Sequence, residues 1–324
     1  MFLFRWSVFK DRCVPLVCCI FSLVLVSCSS TQVPLGANGS ANGSASVPGS
    51  MREESEKKDP SIPKRPVKLG LALGGGAARG FAHVGVLQVL EEAGIKPQLV
   101  VGTSAGSVVA AFYTSGKNAS QLLKLSESMD ESSLTDWTVP LISRGMMRGD
   151  ALAKYMTQNL DIKKIEDMKI PLGVVATDLH SGESILFQRG DAATAVRASS
   201  AVPAVFQPVQ IGGKEYVDGG LVAPVPVRFA KQMGADIVVA VDISTPLEAN
   251  KADGMLQILL QTFSIMGKSI SDFELKEADL VVKPALSGIG SAAFSERKRS
   301  IEAGRAAMTQ ALPQLKILLQ KQLP

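Results

Sequence analysis

Residues 67–80 read VKLGLALGGGAARG, and residues 98–113 read QLVVGTSAGSVVAAFY. In each stretch a short aliphatic run leads into a glycine-rich turn, and apolar residues at helical spacing follow the turn. Gly94 and Gly116 end the two predicted helices. Two successive strand–turn–helix units predict an α/β fold with a mainly parallel central sheet.

The same alternation continues to the end of the chain, and it predicts one domain over residues 67–324. The predicted strands are Val67–Leu73, Gln98–Val101, Ile170–Ala176, Ile185–Gln188, Phe206–Ile211, Ile237–Val241 and Leu280–Val282. After the helix of the first unit, the predicted helices are Ala105–Ser115, Ser120–Met129, Ala151–Leu160, Ala192–Ser199, Val227–Met233, Leu256–Ala278 and Arg297–Gln320.

Composition excludes several classes of protein. The chain has 324 residues, 46% of them hydrophobic, which is enough apolar content for a buried core. Its 34 basic and 30 acidic residues are scattered, so we expect no nucleic-acid partner. The four cysteines all lie within the first 28 residues, and the chain has two histidines. The domain therefore offers no thiolate, and we expect no metal and no cofactor.

The first 28 residues resemble a lipoprotein export signal. Residues 1–12 are basic overall, and residues 13–26 form a 14-residue apolar run, short for a bilayer span and typical of a signal peptide. The run ends in LVSC, which resembles the bacterial lipobox and implies a signal peptide over residues 1–27 and lipidation of Cys28. Ser29 favours the outer membrane of the cell envelope. A plain secretory signal or an uncleaved anchor is the alternative.

Residues 28–66 are predicted to be a lipidated cysteine followed by a flexible linker. The stretch contains the repeat ANGSANGSAS and then mixed charges with prolines, and it has almost no core-forming residues. Such a composition does not offset the entropy of ordering. We therefore expect a domain tethered to a membrane at some distance from it.

Gly102-Thr103-Ser104-Ala105-Gly106 matches the nucleophile elbow, in which a serine sits on a sharp turn between a strand and a helix. A tight structural turn is the alternative. A serine hydroxyl needs a neighbouring base. Neither His83 nor His180 lies where a Ser-Asp-His triad places its histidine, so we expect another residue to activate Ser104.

The glycine loop at residues 74–80 precedes a helix and exposes backbone N–H groups. It lacks the GK[ST] of a P-loop and the acidic strand end of a dinucleotide site. An oxyanion hole is the favoured interpretation, with a nucleotide phosphate site or a simple turn as alternatives. Asp218, in the sequence Val217-Asp218-Gly219-Gly220, forms either a type I′ hairpin turn or a general base for Ser104.

The order GGGAARG, GTSAG, DGG resembles the patatin-like phospholipase family, in particular its bacterial members related to neuropathy target esterase. The similarity spans roughly residues 67–310. It implies a three-layer α/β/α fold, Ser104 as the acylated nucleophile and Asp218 as the proton acceptor. It also implies an oxyanion hole from the amides of Gly75, Gly76 and Ala77. The residues that support these motifs are Gly74, Arg79, Gly80, Gly102, Gly106, Gly219 and Gly220.

One position departs from the family pattern, because Ala77 stands where the family has a third glycine before x-R-G. If that position needs a positive φ, we expect the loop to be strained. Arg79 has three interpretations: it orients the loop, it meets a lipid phosphate, or it lies on the surface.

The resemblance implies a hydrolase that releases fatty acid from a membrane lipid ester through an acyl-enzyme. Phospholipid, lysophospholipid and simple ester remain open as substrates. The alternatives are an acyltransferase and a non-catalytic lipid-binding lipoprotein. The apolar stretches Pro140–Met147 and Met255–Met266 are either core or part of a substrate groove or lid.

Overall fold

The computed structural model describes residues 66–131, 135–138, 144–244, 247 and 253–321. All of them belong to one unit, Pro60–Pro324. The predicted signal peptide, Cys28 and the linker up to residue 65 lie outside the described residues. No helix in the described part of the chain combines the length and apolar character needed to cross a bilayer.

An eight-stranded sheet organises these residues, and its main path runs in the order β10-β9-β1-β2-β4-β8-β7, with β5 paired to β4. The five strands from β10 to β4 are parallel, while β8, β7 and β5 are added antiparallel. The strands are β1 (Leu69–Leu73), β2 (Leu99–Thr103), β3 (Gly145–Met147), β4 (Leu172–Asp178), β5 (Ser184–Phe187), β6 (Ala204–Phe206), β7 (Val209–Ile211), β8 (Lys214–Asp218), β9 (Ile237–Val241) and β10 (Leu280–Val282).

Helices cover both faces of this sheet, as the predicted α/β fold requires. Alternate residues of β1 separate the two layers, because Leu69, Leu71 and Leu73 pack towards α1, α2 and α8 and Ala72 packs towards α6. The helices are α1 (Phe81–Glu92), α2 (Ala105–Thr114), α3 (Ala119–Ser128), α4 (Asp150–Asn159), α5 (Ala192–Ser199), α6 (Val227–Gln232), α7 (Met255–Glu274) and α8 (Arg297–Lys321).

One predicted strand was wrong. The stretch Phe206–Ile211 is two strands, because β6 ends at Phe206 and β7 begins at Val209. Pro208 lies between them and has no N–H to donate to a sheet. The two strands then part, since β6 pairs with β3 in a separate two-stranded sheet and β7 pairs with β8.

Two other predictions need a smaller correction. The helix predicted over Leu256–Ala278 ends at Glu274, and Leu275–Glu277 continues as a short 3₁₀ turn. Strand β3 occupies the end of the stretch Pro140–Met147, for which we predicted no strand, and residues 140–143 lie outside the described residues.

Candidate active site

Ser104 occupies a strained turn between β2 and α2. It follows Thr103, the last residue of β2, and precedes Ala105, the first residue of α2. Its φ of 51° and ψ of −124° lie in a region that residues with a side chain rarely adopt. Two hydrogen bonds hold the turn: Ser104 N–H donates to Ser199 Oγ at 2.9 Å, and Thr103 Oγ1 donates to the Ala223 carbonyl at 2.8 Å.

The two glycines of the elbow are required by close packing. A Cβ on Gly106 would lie 2.1 Å from the Leu73 carbonyl oxygen, and a Cβ on Gly102 would lie 2.5 Å from the Gly106 carbonyl oxygen. No side chain fits at either place. The sequence G-x-S-x-G is therefore the condition for α2 to start directly against β1.

Ser104 and Asp218 are in direct contact. The Ser104 hydroxyl donates a hydrogen bond of 2.7 Å to Oδ2 of Asp218. The other carboxylate oxygen, Oδ1, accepts a 2.7 Å bond from the Gly220 amide. The backbone of Asp218 is fixed as well, because its N–H donates to the Ala201 carbonyl and its carbonyl accepts from Thr177 Oγ1. Hydrogen bonds to both carboxylate oxygens and to the backbone of Asp218 thus fix the orientation of the carboxylate.

The turn after Asp218 is not the type I′ hairpin that its Asp-Gly pair could form. Asp218 ends β8, and Gly219–Leu221 forms a 3₁₀ turn that leads towards α6. The tight hairpin of this region is one connection earlier, where Gly212 and Gly213 join β7 to β8 with positive φ. The Asp-Gly-Gly sequence instead lets the Gly220 amide reach back to the aspartate side chain.

Burial raises the pKa of Asp218 from 3.8 to about 6, and the hydrogen bonds from Ser104 and Gly220 oppose that rise. Asp218 is only 6% exposed to solvent. A carboxylate with a pKa near 6 is ionised at neutral pH and is a stronger proton acceptor than a solvated one. It therefore has the position and the basicity needed to accept a proton from Ser104.

The glycine loop lies beside Ser104, and its amides fall into two groups. The N–H groups of Gly74 and Gly75 donate to the carbonyls of Val241 and Pro224, at 3.1 and 2.9 Å. The amides of Gly76 and Ala77 donate no hydrogen bond to any described residue. The sequence assigned Gly75 to the oxyanion hole together with Gly76 and Ala77, whereas its amide is already engaged by Pro224.

Ala77 has the positive φ that the sequence analysis considered. Its φ is 51°, in the left-handed region where a Cβ is unfavourable. The residue is exposed and begins the 3₁₀ turn Ala77–Gly80 that leads into α1. The loop therefore carries backbone strain at the position where the family has glycine.

Arg79 connects the glycine loop to two buried backbone carbonyls. The residue is 5% exposed, its Nε donates to the Ile243 carbonyl at 3.0 Å, and a terminal nitrogen donates to the Ile289 carbonyl at 3.4 Å. Burial lowers the pKa of Arg79 to about 10, against the opposing charge of Asp242. Of the three interpretations, orientation of the loop fits these contacts, and a surface position is wrong.

The two histidines lie away from the Ser104–Asp218 pair. His83 on α1 is fully buried and donates from Nε2 to the Gly74 carbonyl at 2.9 Å. Its burial lowers the pKa of His83 to about 4, so the ring is neutral at neutral pH. His180 is exposed in the turn between β4 and β5, beside Glu215. His83 supports the glycine loop, and His180 takes no part in the site.

A cavity of about 720 Å³ opens over the Ser104–Asp218 pair. The glycine loop, α2, α3 and α7 form most of its wall. Helix α7 presents Leu260 and Phe263 to the cavity, while Met255 is 89% exposed. Of the two interpretations of Met255–Met266, core is therefore wrong, and this stretch contributes to a groove. No group of three His, Cys, Asp or Glu side chains suited to a metal occurs among the residues described above.

Ser199 is a site residue that the motifs did not reveal. It is fully buried at the end of α5, and its hydroxyl donates to the Val175 carbonyl at 2.6 Å while accepting from Ser104 N–H. The stretch RASSAVPAVFQPV contains it, but nothing in that stretch points to the elbow, which is 95 positions away. The contact of Ser199 with Ser104 is visible only once the fold brings the two residues together.

The α/β fold with a serine elbow and a facing aspartate agrees with the family resemblance found in the sequence, and a comparison of the sequence with family models gives the same family. Residues 71–231 match the model described as patatin-like phospholipase, and the chain belongs to this family. The matched range contains the glycine loop, Ser104 and Asp218.

Curated relatives of the chain include proteins named as members of the NTE family. Two uncharacterized NTE family proteins of Mycobacterium tuberculosis are 34% identical over 178 residues, 55% of this chain and 49% of the relative, and 30% identical over 274 residues, 75% and 46%. Patatin-like phospholipase domain-containing protein 6 of Mus musculus is 33% identical over 190 residues, 56% and 14%. The chain thus spans about half the length, or less, of the curated relatives it matches.

A solved structure has the same fold. VipD from Legionella pneumophila superposes with a TM-score of 0.56 at 17% sequence identity, over 78% of this chain and 68% of that one. At this identity the likeness concerns the fold alone.

Proposed function

We propose that this protein is a serine carboxylester hydrolase that releases fatty acid from phospholipids, lysophospholipids or related esters. The observation that carries the proposal is the 2.7 Å hydrogen bond from Ser104 Oγ to Asp218 Oδ2 at the floor of an apolar cavity. Membership of the patatin-like phospholipase family supports a lipid ester as the substrate.

Asp218 takes the proton of Ser104 as its oxygen attacks the ester carbonyl carbon. The C=O π electrons move to the carbonyl oxygen, and the amides of Gly76 and Ala77 donate to this oxyanion. The helix dipole at the start of α2 adds to its stabilisation. Collapse of the tetrahedral intermediate breaks the ester C–O bond, and the proton held by Asp218 passes to the departing alcohol.

The acyl group is then attached to Ser104 Oγ. Asp218, ionised again, accepts a proton from a water molecule, and the water oxygen attacks the acyl carbon. The second tetrahedral intermediate expels Ser104, which regains the proton from Asp218. The net products are the alcohol and the fatty acid.

The test uses the full-length chain in detergent micelles. Fatty-acid release is measured from a short-chain ester, a lysophospholipid and a diacyl phospholipid, with a chelator present. Ser104→Ala and Asp218→Ala should each reduce release by about ten-thousandfold or more, the size of effect seen when a triad member is removed elsewhere. Ser115→Ala is the matched control, because Ser115 is a buried serine of the same region whose hydroxyl bonds to the Phe112 carbonyl.

Three results would contradict the proposal. Equal release by wild type and Ser104→Ala would show that Ser104 is not the nucleophile. Transfer of the acyl group to an added alcohol in preference to water would indicate an acyltransferase. Binding of phospholipid vesicles without release from any substrate would indicate a lipid-binding lipoprotein.

We also propose that the domain is anchored to the cell envelope through Cys28, with the outer membrane favoured. The support is the lipobox-like LVSC after a 14-residue apolar run and the linker-like composition up to residue 66. Metabolic labelling with a radioactive fatty acid should mark the wild-type chain and leave Cys28→Ser unlabelled, and fractionation should place the protein with membranes. A labelled Cys28→Ser chain would contradict the anchor.

A further inference from the structure

The elements that line the cavity above Ser104 differ in chemistry. The side chains that α2 and α3 contribute are almost entirely apolar. Helix α7 contributes Gln257, Ser264 and Lys268 among its apolar residues. An ester also has two unlike parts, an apolar acyl chain and a more polar alcohol.

Helix α2 contributes one stripe of the apolar wall. Val108, Val109 and Phe112 line the cavity, and they follow Ala105 at intervals of three, four and seven residues. This spacing places them on one side of the helix. Helix α2 starts directly after Ser104, so the stripe begins at the nucleophile and extends along the helix axis for about 12 Å, eight residues at 1.5 Å each.

Helix α3 and the residue after it supply a second stripe. Leu122 and Leu125 of α3 line the same cavity together with Met129, which directly follows the helix, at intervals of three and seven residues. Ser126 is the polar member of this stripe, and its hydroxyl donates to the Leu123 carbonyl of its own helix. The two stripes together form an apolar part of the cavity that starts next to Ser104, and this part is called here the α2–α3 slot.

We infer that this α2–α3 slot binds the acyl chain of the substrate and sets the preferred chain length. The inference rests on the proposed function, because the chain enters the slot while its carbonyl carbon lies at Ser104. Buried methylenes contribute about fourfold each to binding. A slot about two helical turns deep thus favours acyl chains of medium and greater length over acetyl groups.

The first test is the chain-length profile of the full-length protein in detergent micelles. We expect kcat/KM for p-nitrophenyl esters to rise from acetate to laurate. Val108→Phe and Leu125→Phe narrow the slot, and both residues are only partly buried, so a larger side chain can be accommodated. Each should lower the ratio of laurate to acetate kcat/KM at least tenfold. A flat wild-type profile, or an unchanged ratio in both variants, would overturn the slot.

Leu123→Phe is the matched control. Leu123 lies on the same helix and is partly buried against the core, but it does not line the cavity. The same substitution there should leave the ratio of laurate to acetate kcat/KM as in wild type. A fall in the ratio equal to that of Leu125→Phe would mean that general loosening of α3, rather than the slot, sets the profile.

A second test does not depend on catalysis. The Ser104→Ala chain is irradiated with a fatty acid that carries a diazirine at its methyl end, and the labelled peptides are identified by mass spectrometry. Labels on α2 and α3 that weaken in Val108→Phe support the slot, even if the wild type cleaves no ester and the proposed function fails. Labels confined to α7 would overturn it.

Discussion

The hydroxyl of Ser104 and the carboxylate of Asp218 are 2.7 Å apart, although 114 positions of sequence separate them. Ser104 leaves a parallel strand of the sheet, and Asp218 ends an antiparallel strand added next to β4. Strand β2, which leads into Ser104, and strand β8, which ends in Asp218, are neighbours of β4 on its two sides. Several measurable properties depend on the contact between Ser104 and Asp218.

The pH dependence of hydrolysis follows from the pKa of Asp218, which burial raises to about 6. In the proposed mechanism Asp218 accepts a proton only when ionised, so kcat/KM should fall tenfold per pH unit below about pH 6 and level off above it. Initial rates from pH 4 to pH 9 on a short-chain ester measure this. Circular dichroism at the same pH values confirms that the fold persists, and a flat profile down to pH 4 would rule out Asp218 as the base.

The free energy of unfolding should fall as the pH rises through the pKa of Asp218, whereas activity should rise. Because the pKa is about 6 in the folded chain and 3.8 otherwise, the folded state disfavours the charged form. The resulting destabilisation is present above pH 6, amounts to up to about 3 kcal/mol, and disappears as the pH falls below about 4. Asp218→Asn removes the charge and keeps an acceptor for Gly220.

Asp218→Asn should therefore unfold at a higher urea concentration than wild type at pH 8, while losing activity. At pH 4 the two chains should unfold at similar urea concentrations. A variant less stable than wild type at pH 8 would show that the carboxylate stabilises the fold despite its burial.

Replacing Ala77 by glycine should relieve strain in the loop. A left-handed φ of 51° costs an alanine about 1–2 kcal/mol, and glycine loses part of that advantage through its greater freedom when unfolded. Ala77→Gly should raise the free energy of unfolding by about 0.5–1 kcal/mol and retain hydrolysis, because the amide is kept. Ala78→Gly, at a buried neighbour without positive φ, should lower it. Urea titrations of both variants decide the matter.

Ser199 should act as a positioning residue for the elbow. Ser199→Ala leaves the Ser104 N–H and the Val175 carbonyl without their partner, at a cost of about 1–3 kcal/mol in stability. It should also lower kcat with little change in KM, because the turn that carries Ser104 loses its tie. Ser115→Ala serves as the comparison, since it removes a buried serine hydroxyl outside the elbow. A kcat equal to that of Ser115→Ala would contradict the positioning role.

Local sequence carries the parts of the site that are made within one turn. The aliphatic run, the glycine spacing and the following helix predict the elbow at Ser104, because these signals all lie within one short stretch of sequence. The same reasoning predicted most strands and helices of the sheet. It missed β3 and merged β6 with β7, although Pro208 separates these two strands.

Contacts between distant residues are what the sequence did not provide. The partner of the Gly75 amide is Pro224, and the partners of Arg79 are Ile243 and Ile289, all of them backbone carbonyls. A carbonyl is present at every residue, so no side-chain pattern marks the one that will be used. The engagement of the Gly75 amide, which leaves Gly76 and Ala77 as the proposed oxyanion donors, is therefore visible only in the fold.

Strand β1 pairs with β2 on one side and with β9 on the other, so its two neighbours are synthesised at very different times. The serine is synthesised early, its aspartate more than a hundred residues later, and the second neighbour of β1 later still. A nascent chain that has not yet released Ile237–Val241 exposes an unpaired edge of β1. Translation must pass β9 before β1 has both of its neighbours, so an interrupted polypeptide is a target for chaperones and proteases.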